Sequence, residues 1–116
     1  MTHINVRAVI DGWFAFRSRD AHQCHMDFLT CDAVGELEID SFEVEPPARH
    51  RGHGARAMAE ICRLADLHRV TLALQPVPNA EAGETMGFDC LAEFYARFGF
   101  CWADAMMVRR PAAIAV

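Results

Sequence analysis

The stretch that decides the fold is E-L-E-I-D-S-F-E-V-E-P-P-A-R-H-R-G-H-G-A-R, residues 36–56 of the 116-residue chain. It predicts a strand over Glu36–Glu45, which Pro46 and Pro47 end. It then runs into two glycines at the expected start of a helix. A strand that leads through a glycine-containing turn into a helix is the first half of a βαβ unit.

The apolar residues of this strand change phase in the middle. Leu37 and Ile39 occupy odd positions, whereas Phe42 and Val44 occupy even positions. Side chains alternate between the two faces of a strand, so one apolar face survives this change only if one extra residue is inserted. The sequence therefore predicts a β-bulge at the Asp40–Ser41 step. A strand that is covered on both faces and has no bulge is the alternative.

The residues that follow complete the βαβ unit. A helix is expected over Gly52–His68, where apolar residues recur at the three-four spacing of one buried face. The apolar run Val70–Leu74 comes directly after it and is typical of a buried parallel strand. A loop over Gln75–Phe88 leads into a second helix over Asp89–Phe98. A final strand or hairpin is expected over Phe100–Arg109, with a loose tail after it.

The first third of the chain is expected to contain strands and turns only. The segment Ile4–Ile10 alternates in polarity, and Trp13–Arg17 and Cys24–Cys31 are candidate second and third strands. Turns are expected at the Asp11–Gly12 step and at residues 32–35.

Length and composition predict one globular domain over residues 1–116. Apolar residues make up 53% of the chain and charged residues 23%, which is not the composition of a disordered protein. No segment predicts a signal peptide or a membrane span, so a cytoplasmic protein without a membrane partner is expected. The formal net charge of −5 argues against general nucleic-acid binding.

The five cysteines do not predict a disulfide framework or a metal site. Their number is odd, and the sequence contains no C-x-x-C pair. In the run H-Q-C-H at residues 22–25, successive side chains of a strand would point to opposite faces and could not converge on one ion. No metal is therefore expected.

The turn R-H-R-G-H-G-A at residues 49–55 has the properties of an anion-binding site. Gly52 and Gly54 let the backbone approach a ligand closely, and the first N–H groups of the following helix have no partner within it. The helix dipole favours an anion at this position. Three arginines can form forked contacts with phosphate oxygens: Arg49, Arg51 and Arg56. The turn is a candidate pyrophosphate cradle, and a solvated helix start is the alternative.

A dinucleotide-binding turn is a second alternative, because residues 52–57 match the pattern G-x-G-x-x-A. Six residues, from Pro46 to Arg51, separate the predicted strand from the first glycine, whereas that fingerprint follows its strand directly. The next strand ends in Leu74 and Gln75, without an acidic residue for a ribose hydroxyl. Both features disfavour a dinucleotide.

Taken in order, these segments resemble the GCN5-related N-acetyltransferase family. The run R-x-x-G-x-G at residues 49–54 fits the family's pyrophosphate pattern Q/R-x-x-G-x-G/A, and F-x-V-x-P at residues 42–46 resembles the strand before it. The run F-Y-A-R-F-G-F at residues 94–100 contains a second hallmark, a helix that ends in Tyr-x-x-x-Gly-Phe. The end M-V-R-R-P at residues 107–111 resembles the last strand of small members. The first 35 residues match poorly, which indicates a trimmed N-terminal half.

The resemblance implies an α/β (α+β) fold with a mixed, mostly antiparallel twisted sheet, a central βαβ unit and a splayed, bulged fourth strand. It implies transfer of an acetyl group from acetyl-CoA, without a metal, to a primary amine of a small molecule, peptide or protein. A non-catalytic acyl-CoA-binding regulatory module is the alternative. The implied cofactor-binding residues are Phe42, Glu43, Val44, Arg49, Arg51, Gly52, His53, Gly54, Ala55 and Arg56.

Three side chains are candidates for the chemistry. Tyr95 matches the family's general acid, because a phenol, with an ordinary pKa of about 10, can protonate a departing CoA thiolate. Glu38, and after it Asp40, are candidates for the base, with solvated strand charges as the alternative. Exposed edge strands would favour a homodimer that completes the acceptor site.

Overall fold

The computed structural model describes residues 2–30, 35–48, 51–76 and 87–112, which form a mixed α+β fold around one five-stranded sheet. In chain order its elements are α1 (Thr2–Asp20), β1 (Cys24–Thr30), β2 (Glu36–Val44), a 3₁₀ turn (Pro46–Ala48), α2 (His53–His68), β3 (Thr71–Leu74), α3 (Phe88–Ala96), β4 (Cys101–Ala103) and β5 (Met106–Arg109).

The sheet has the strand order β1-β2-β3-β5-β4. β2 and β3 run parallel, as their connection through α2 requires, and the other three neighbouring pairs are antiparallel. The predicted βαβ unit and the mixed, mostly antiparallel sheet are therefore confirmed. β5 lies between β3 and β4, so the terminal hairpin places its second strand inside the sheet and its first strand at the edge.

The buried side chains of the strands lie on one face of this sheet. Directly paired residues share a face, and the paired residues Leu37 with Leu72 and Leu74 with Met107 are all buried. All three helices contribute side chains to the same core cluster. On the other face, the strand residues that the structure describes are half-buried or exposed, apart from Ala73.

Residues 2–20 form a helix, so the predicted strands Ile4–Ile10 and Trp13–Arg17 are wrong. An N-terminal part made only of strands and turns is wrong for the same reason. The buried side chains of α1 recur at spacings of three and four residues: Val6, Val9, Trp13 and Phe16. These side chains pack against α2. That packing favours a helix more strongly than the short alternating run of β-branched residues favours a strand.

Gly12, predicted to form a turn with Asp11, lies in the interior of α1. A Cβ atom at this position would lie only 2.8 Å from Cδ2 of Leu64 in α2. The glycine therefore permits a close approach of two helices and does not mark a turn.

β2 contains the predicted bulge. Its pairing with β1 skips Asp40, because Ser41 lies opposite Asp27 and Ile39 lies opposite Phe28. The apolar residues before and after the bulge therefore share the buried face of the sheet: Leu37, Ile39, Phe42 and Val44.

The other elements agree with the predicted segments to within two residues at each described end. Most of the predicted loop Gln75–Phe88 and the end of the predicted tail lie outside the described residues, as does Cys31. No helix in the described ranges is long and apolar enough to cross a membrane.

One ion pair ties the sheet to α2. Both terminal nitrogens of Arg109 in β5 donate to the carboxylate of Asp66, at 2.8 and 3.0 Å, and its Nε donates to the carbonyl of Phe98 at 2.7 Å. The N–H of Ala112 donates to the same carboxylate at 2.8 Å. The hydrogen bonds from Arg109 hold the pKa of Asp66 below its ordinary value. One arginine thus joins α2, β5 and the turn after α3.

We expect Asp66→Asn to lower the free energy of unfolding by about 2 kcal/mol, because the largely enclosed Arg109 loses its anionic partner. The pKa of Asp66 is lowered in the folded state. Its stabilisation is therefore fully present above the unfolded pKa of about 4 and is lost as the pH falls through the folded value. Urea denaturation should show a difference between wild type and variant near neutral pH that shrinks in acid. Asp11→Asn, which breaks an exposed ion pair with Arg7, is the control, and an equal loss there would contradict the prediction.

Candidate active site

The candidate site lies at the carboxyl end of β2, where its ladder with β3 stops. The two strands pair from Glu36 and Thr71 as far as Ile39 and Leu74, and the bulge at Asp40 follows at the next residue of β2. β2 then continues in register with β1 alone to its last residue. Ligands of α/β sheets bind beyond the carboxyl ends of parallel strands, and this is such an end.

The start of α2 lies over this part of β2. A Cβ atom at Gly54 would meet Cγ2 of Val44 at 3.6 Å and Cζ of Phe42 at 3.8 Å. The two side chains that the bulge returns to the buried face thus support the first turn of α2. The bulge and the helix start therefore form one structural unit.

α2 begins without a side-chain cap. Its N-cap residue, Gly52, has φ +81°, a left-handed conformation that glycine adopts without strain. The carbonyl of Gly52 accepts the N–H of Arg56 at 3.1 Å. The N–H groups of residues 53–55 have no partner within the helix, so the positive end of the helix dipole can receive an anion.

Positive side chains flank this helix start. Arg51 and Arg56 are exposed on either side of it, as is the small Ala55 between them, whereas Arg49 lies outside the described residues. N–H groups that lack helical partners, together with guanidinium groups, fit a ligand with several anionic oxygens, such as a pyrophosphate.

His53 is half-buried, and Gln23 holds its ring. Nε2 of Gln23 lies 2.9 Å from Nδ1 of His53 and 3.1 Å from its Nε2. The thiol of Cys24 donates to the backbone carbonyl of His53 at 3.7 Å. The sequence analysis did not assign Gln23 or Cys24 to this site. The partners are 30 positions apart, so no local pattern could indicate the contact.

The run at residues 22–25 joins α1 to the end of β2. Nε of Arg17 donates to the carbonyl of Cys24 at 2.7 Å, and its Nη2 lies 2.9 Å from Nδ1 of His25. Nε2 of His25 lies 2.7 Å from the carboxylate of Glu45. The described part of the chain contains no group of three or more His, Cys, Asp or Glu side chains that could hold a metal ion.

The two buried cysteines are poor nucleophiles. Burial raises the pKa of the Cys24 thiol, and it raises the pKa of Cys62 to about 11. Since the thiolate is the reactive form, neither side chain is activated for covalent catalysis near neutral pH.

The acidic candidates lie along β2. Glu38 is half-buried, is paired with Leu29 and Ala73, and faces the side of the sheet opposite to the buried leucines. Asp40 is the bulged residue and is exposed. Glu43 is half-buried and lies opposite His25 on β1. The carboxylates of β2 thus flank the point where the ladder with β3 ends.

Tyr95 lies in the core. Its side chain is 7% exposed, and its ring centroid lies 5.3 Å from that of Phe94 and 5.8 Å from that of Phe100. These contacts are on the side of the sheet that carries the core cluster, whereas Glu38 faces the other side. The predicted acid, Tyr95, and the predicted base, Glu38, therefore lie on opposite sides of the sheet.

Comparisons of the chain with protein-family models, with curated proteins and with solved structures give no match. A function must therefore be inferred from the sequence motifs and from the geometry of the site.

We expect Gly52→Ala and Gly54→Ala to affect stability differently. Alanine at position 52 must keep φ +81°, which costs about 1 kcal/mol. Alanine at position 54 meets Val44 and Phe42 at ordinary contact distances, so it should be neutral or should stabilise α2 by up to about 1 kcal/mol. Urea denaturation followed by circular dichroism measures both changes. Equal losses in the two variants would contradict this structure of the helix start.

Proposed function

We propose that this chain is an acetyl-CoA-dependent N-acetyltransferase that acts on a primary amine of a small molecule, a peptide or a protein. One observation carries the proposal. The ladder of β2 with β3 ends at Ile39, the bulge follows at Asp40, and the uncapped start of α2 packs on the residues after the bulge. The motif resemblance adds the identity of the ligand that such a strand end and helix start would bind.

Each part of acetyl-CoA has a matching group in this proposal. The pyrophosphate oxygens accept hydrogen bonds from the N–H groups of residues 53–55, and Arg51 and Arg56 supply positive charge. Gly54 has no side chain, so the first turn of α2 packs closely on Val44 and Phe42. The pantetheine arm is an extended chain with amide groups, and it lies beside residues 42–44 in the manner of an added strand.

The chemistry requires a neutral amine next to the thioester carbonyl. The amine nitrogen attacks the carbonyl carbon, a C–N bond forms, the C–S bond breaks, and the CoA thiolate leaves. Glu38 or Asp40 accepts the extra proton of the amine, since they lie one residue before and one residue after the last pair of the ladder with β3. Tyr95 delivers a proton to the thiolate from the core side of the sheet. The carboxylates of β2 also favour a cationic acceptor over an anionic one.

A specific observation favours a second candidate, a non-catalytic acyl-CoA-binding module. The ring of Tyr95 packs against Phe94 and Phe100 as a core aromatic does, and Glu38 faces the other side of β2. A module that binds acyl-CoA through the start of α2 needs neither side chain. Binding and catalysis therefore require separate tests.

We expect Ala55→Glu to weaken acetyl-CoA binding about tenfold or more, because it places a carboxylate at the exposed helix start, beside the pyrophosphate. Isothermal titration measures the affinity, with NAD as the competing ligand class. The control is Ala59→Glu, which adds the same charge at an exposed position of the same helix and should leave the affinity unchanged. Absence of acetyl-CoA binding by the wild type would overturn the proposal, and binding of NAD instead would favour the dinucleotide alternative.

We expect Tyr95→Phe to lower the rate of acetyl transfer about 100-fold, because it removes only the hydroxyl that protonates the thiolate. The ring remains packed against Phe100, so the affinity for acetyl-CoA should not change. Release of the CoA thiol, measured with a panel of polyamines and peptides, reports the rate. An unchanged rate would exclude Tyr95 as the acid. Binding without release by the wild type would support the binding module.

A further inference from the structure

The first residue of β1 and the residue before it both contact the first residue of α2. The amide nitrogen of Gln23 lies 2.9 Å from Nδ1 of His53, and the thiol of Cys24 donates to the carbonyl of His53 at 3.7 Å. Neither Gln23 nor Cys24 belongs to the motifs that indicate acetyl-CoA binding. Both nevertheless touch the residue from which the anion-binding turn of α2 begins.

Gln23 reaches His53 from a fixed position. Its backbone carbonyl accepts the N–H of Glu45 at 2.9 Å, just beyond the end of β2. Arg17, in the last turn of α1, donates to the carbonyls of His22 and Cys24 at 3.0 and 2.7 Å. The residues around Gln23 are thus attached to α1 and to the end of β2, so its side chain has a rigid support.

Gly52 itself gives the start of α2 no side-chain hydrogen bond. A Ser, Thr or Asp at the N-cap would fix the first turn by accepting a hydrogen bond from one of its N–H groups. That bond would also occupy a donor that an anion needs. Gly52 leaves these donors available but makes no side-chain contact that holds the turn. Gln23 contacts the turn from the side, through the ring of His53, and leaves the backbone donors unoccupied.

We infer that Gln23 is a positioning residue for the anion-binding start of α2, residues 51–56, which we call the anion cradle. It holds the first turn of α2 through His53 and so keeps the N–H groups of residues 53–55 directed at one diphosphate group. The inference rests on the proposed function, in which that group is the pyrophosphate of acetyl-CoA.

The amide of Gln23 carries both a donor and an acceptor, so it can bond to His53 through either of its polar atoms. As placed, its nitrogen lies close to both ring nitrogens, at 2.9 and 3.1 Å, and its buried Oε1 has no hydrogen-bond partner among the described residues. Rotation of the amide by half a turn brings that oxygen to the ring, where it accepts from a ring N–H.

A double-mutant cycle tests the inference, with acetyl-CoA as the probe in isothermal titration. Gln23→Met keeps the length of the side chain and removes its polar end, and it should weaken binding about 3- to 10-fold, the effect of one neutral hydrogen bond. In the His53→Phe background the same change should have no further effect. The control is His22→Ala, which changes an exposed neighbouring side chain and should leave the affinity unchanged.

A spectroscopic measurement separates positioning from general stability. The ring nitrogen chemical shifts of His53 report which nitrogen carries the proton, and Gln23→Met should change them. The shifts of His25, which Arg17 and Glu45 hold, should not change.

The outcomes are distinct. Wild-type affinity in Gln23→Met overturns the inference and leaves the proposed function in place. Equal losses in both backgrounds of the cycle also overturn it, because Gln23 would then act independently of His53. A wild type that does not bind acetyl-CoA overturns the proposed function and the inference with it.

Discussion

The extra residue in β2 is the constraint on which the rest of the structure depends. If Asp40 did not bulge, the alternation of the strand would turn Phe42 and Val44 away from α2 and expose both. With the bulge, these side chains stay on the buried face and support the first turn of α2. The ladder with β3 ends at the residue before it. A single inserted residue thus keeps the core continuous, directly after the last pair of the parallel ladder and under the start of the helix.

The central βαβ unit could be predicted because independent signals agree there. The phase change at Asp40, the helical period of residues 52–68 and the apolar run after them all indicate the same three elements. The N-terminal helix could not be predicted in this way. Its β-branched residues alternate over a short span, and Gly12 carries a turn signal that only the neighbouring Leu64 explains. Packing between α1 and α2, which no local window contains, decided the conformation of that segment.

The candidate site also has parts that the sequence could predict and parts that it could not. The glycines and arginines of the anion cradle are close together in sequence, so their spacing indicates the helix start and its chemistry. The contact of Gln23 with His53 joins distant segments and leaves no sequence signal. The motif around Tyr95 indicates a residue type and a spacing, but the direction of its side chain depends on how α3 packs. That packing brings the ring against Phe100 in the core.

α2 connects the two functions that the site would need. Its first turn presents the backbone donors of the cradle, and Asp66 near its end holds Arg109, which in turn binds the carbonyl of Phe98 after α3. The helix that would bind the pyrophosphate therefore also sets the position of the helix that carries Tyr95. Binding of an anion there would depend mainly on backbone geometry, for which the left-handed Gly52 is the most demanding position. Catalysis would depend in addition on where α3 places Tyr95 relative to the carboxylates of β2. Loss of the Asp66–Arg109 pair would therefore affect the position of Tyr95 more than it affects the anion cradle.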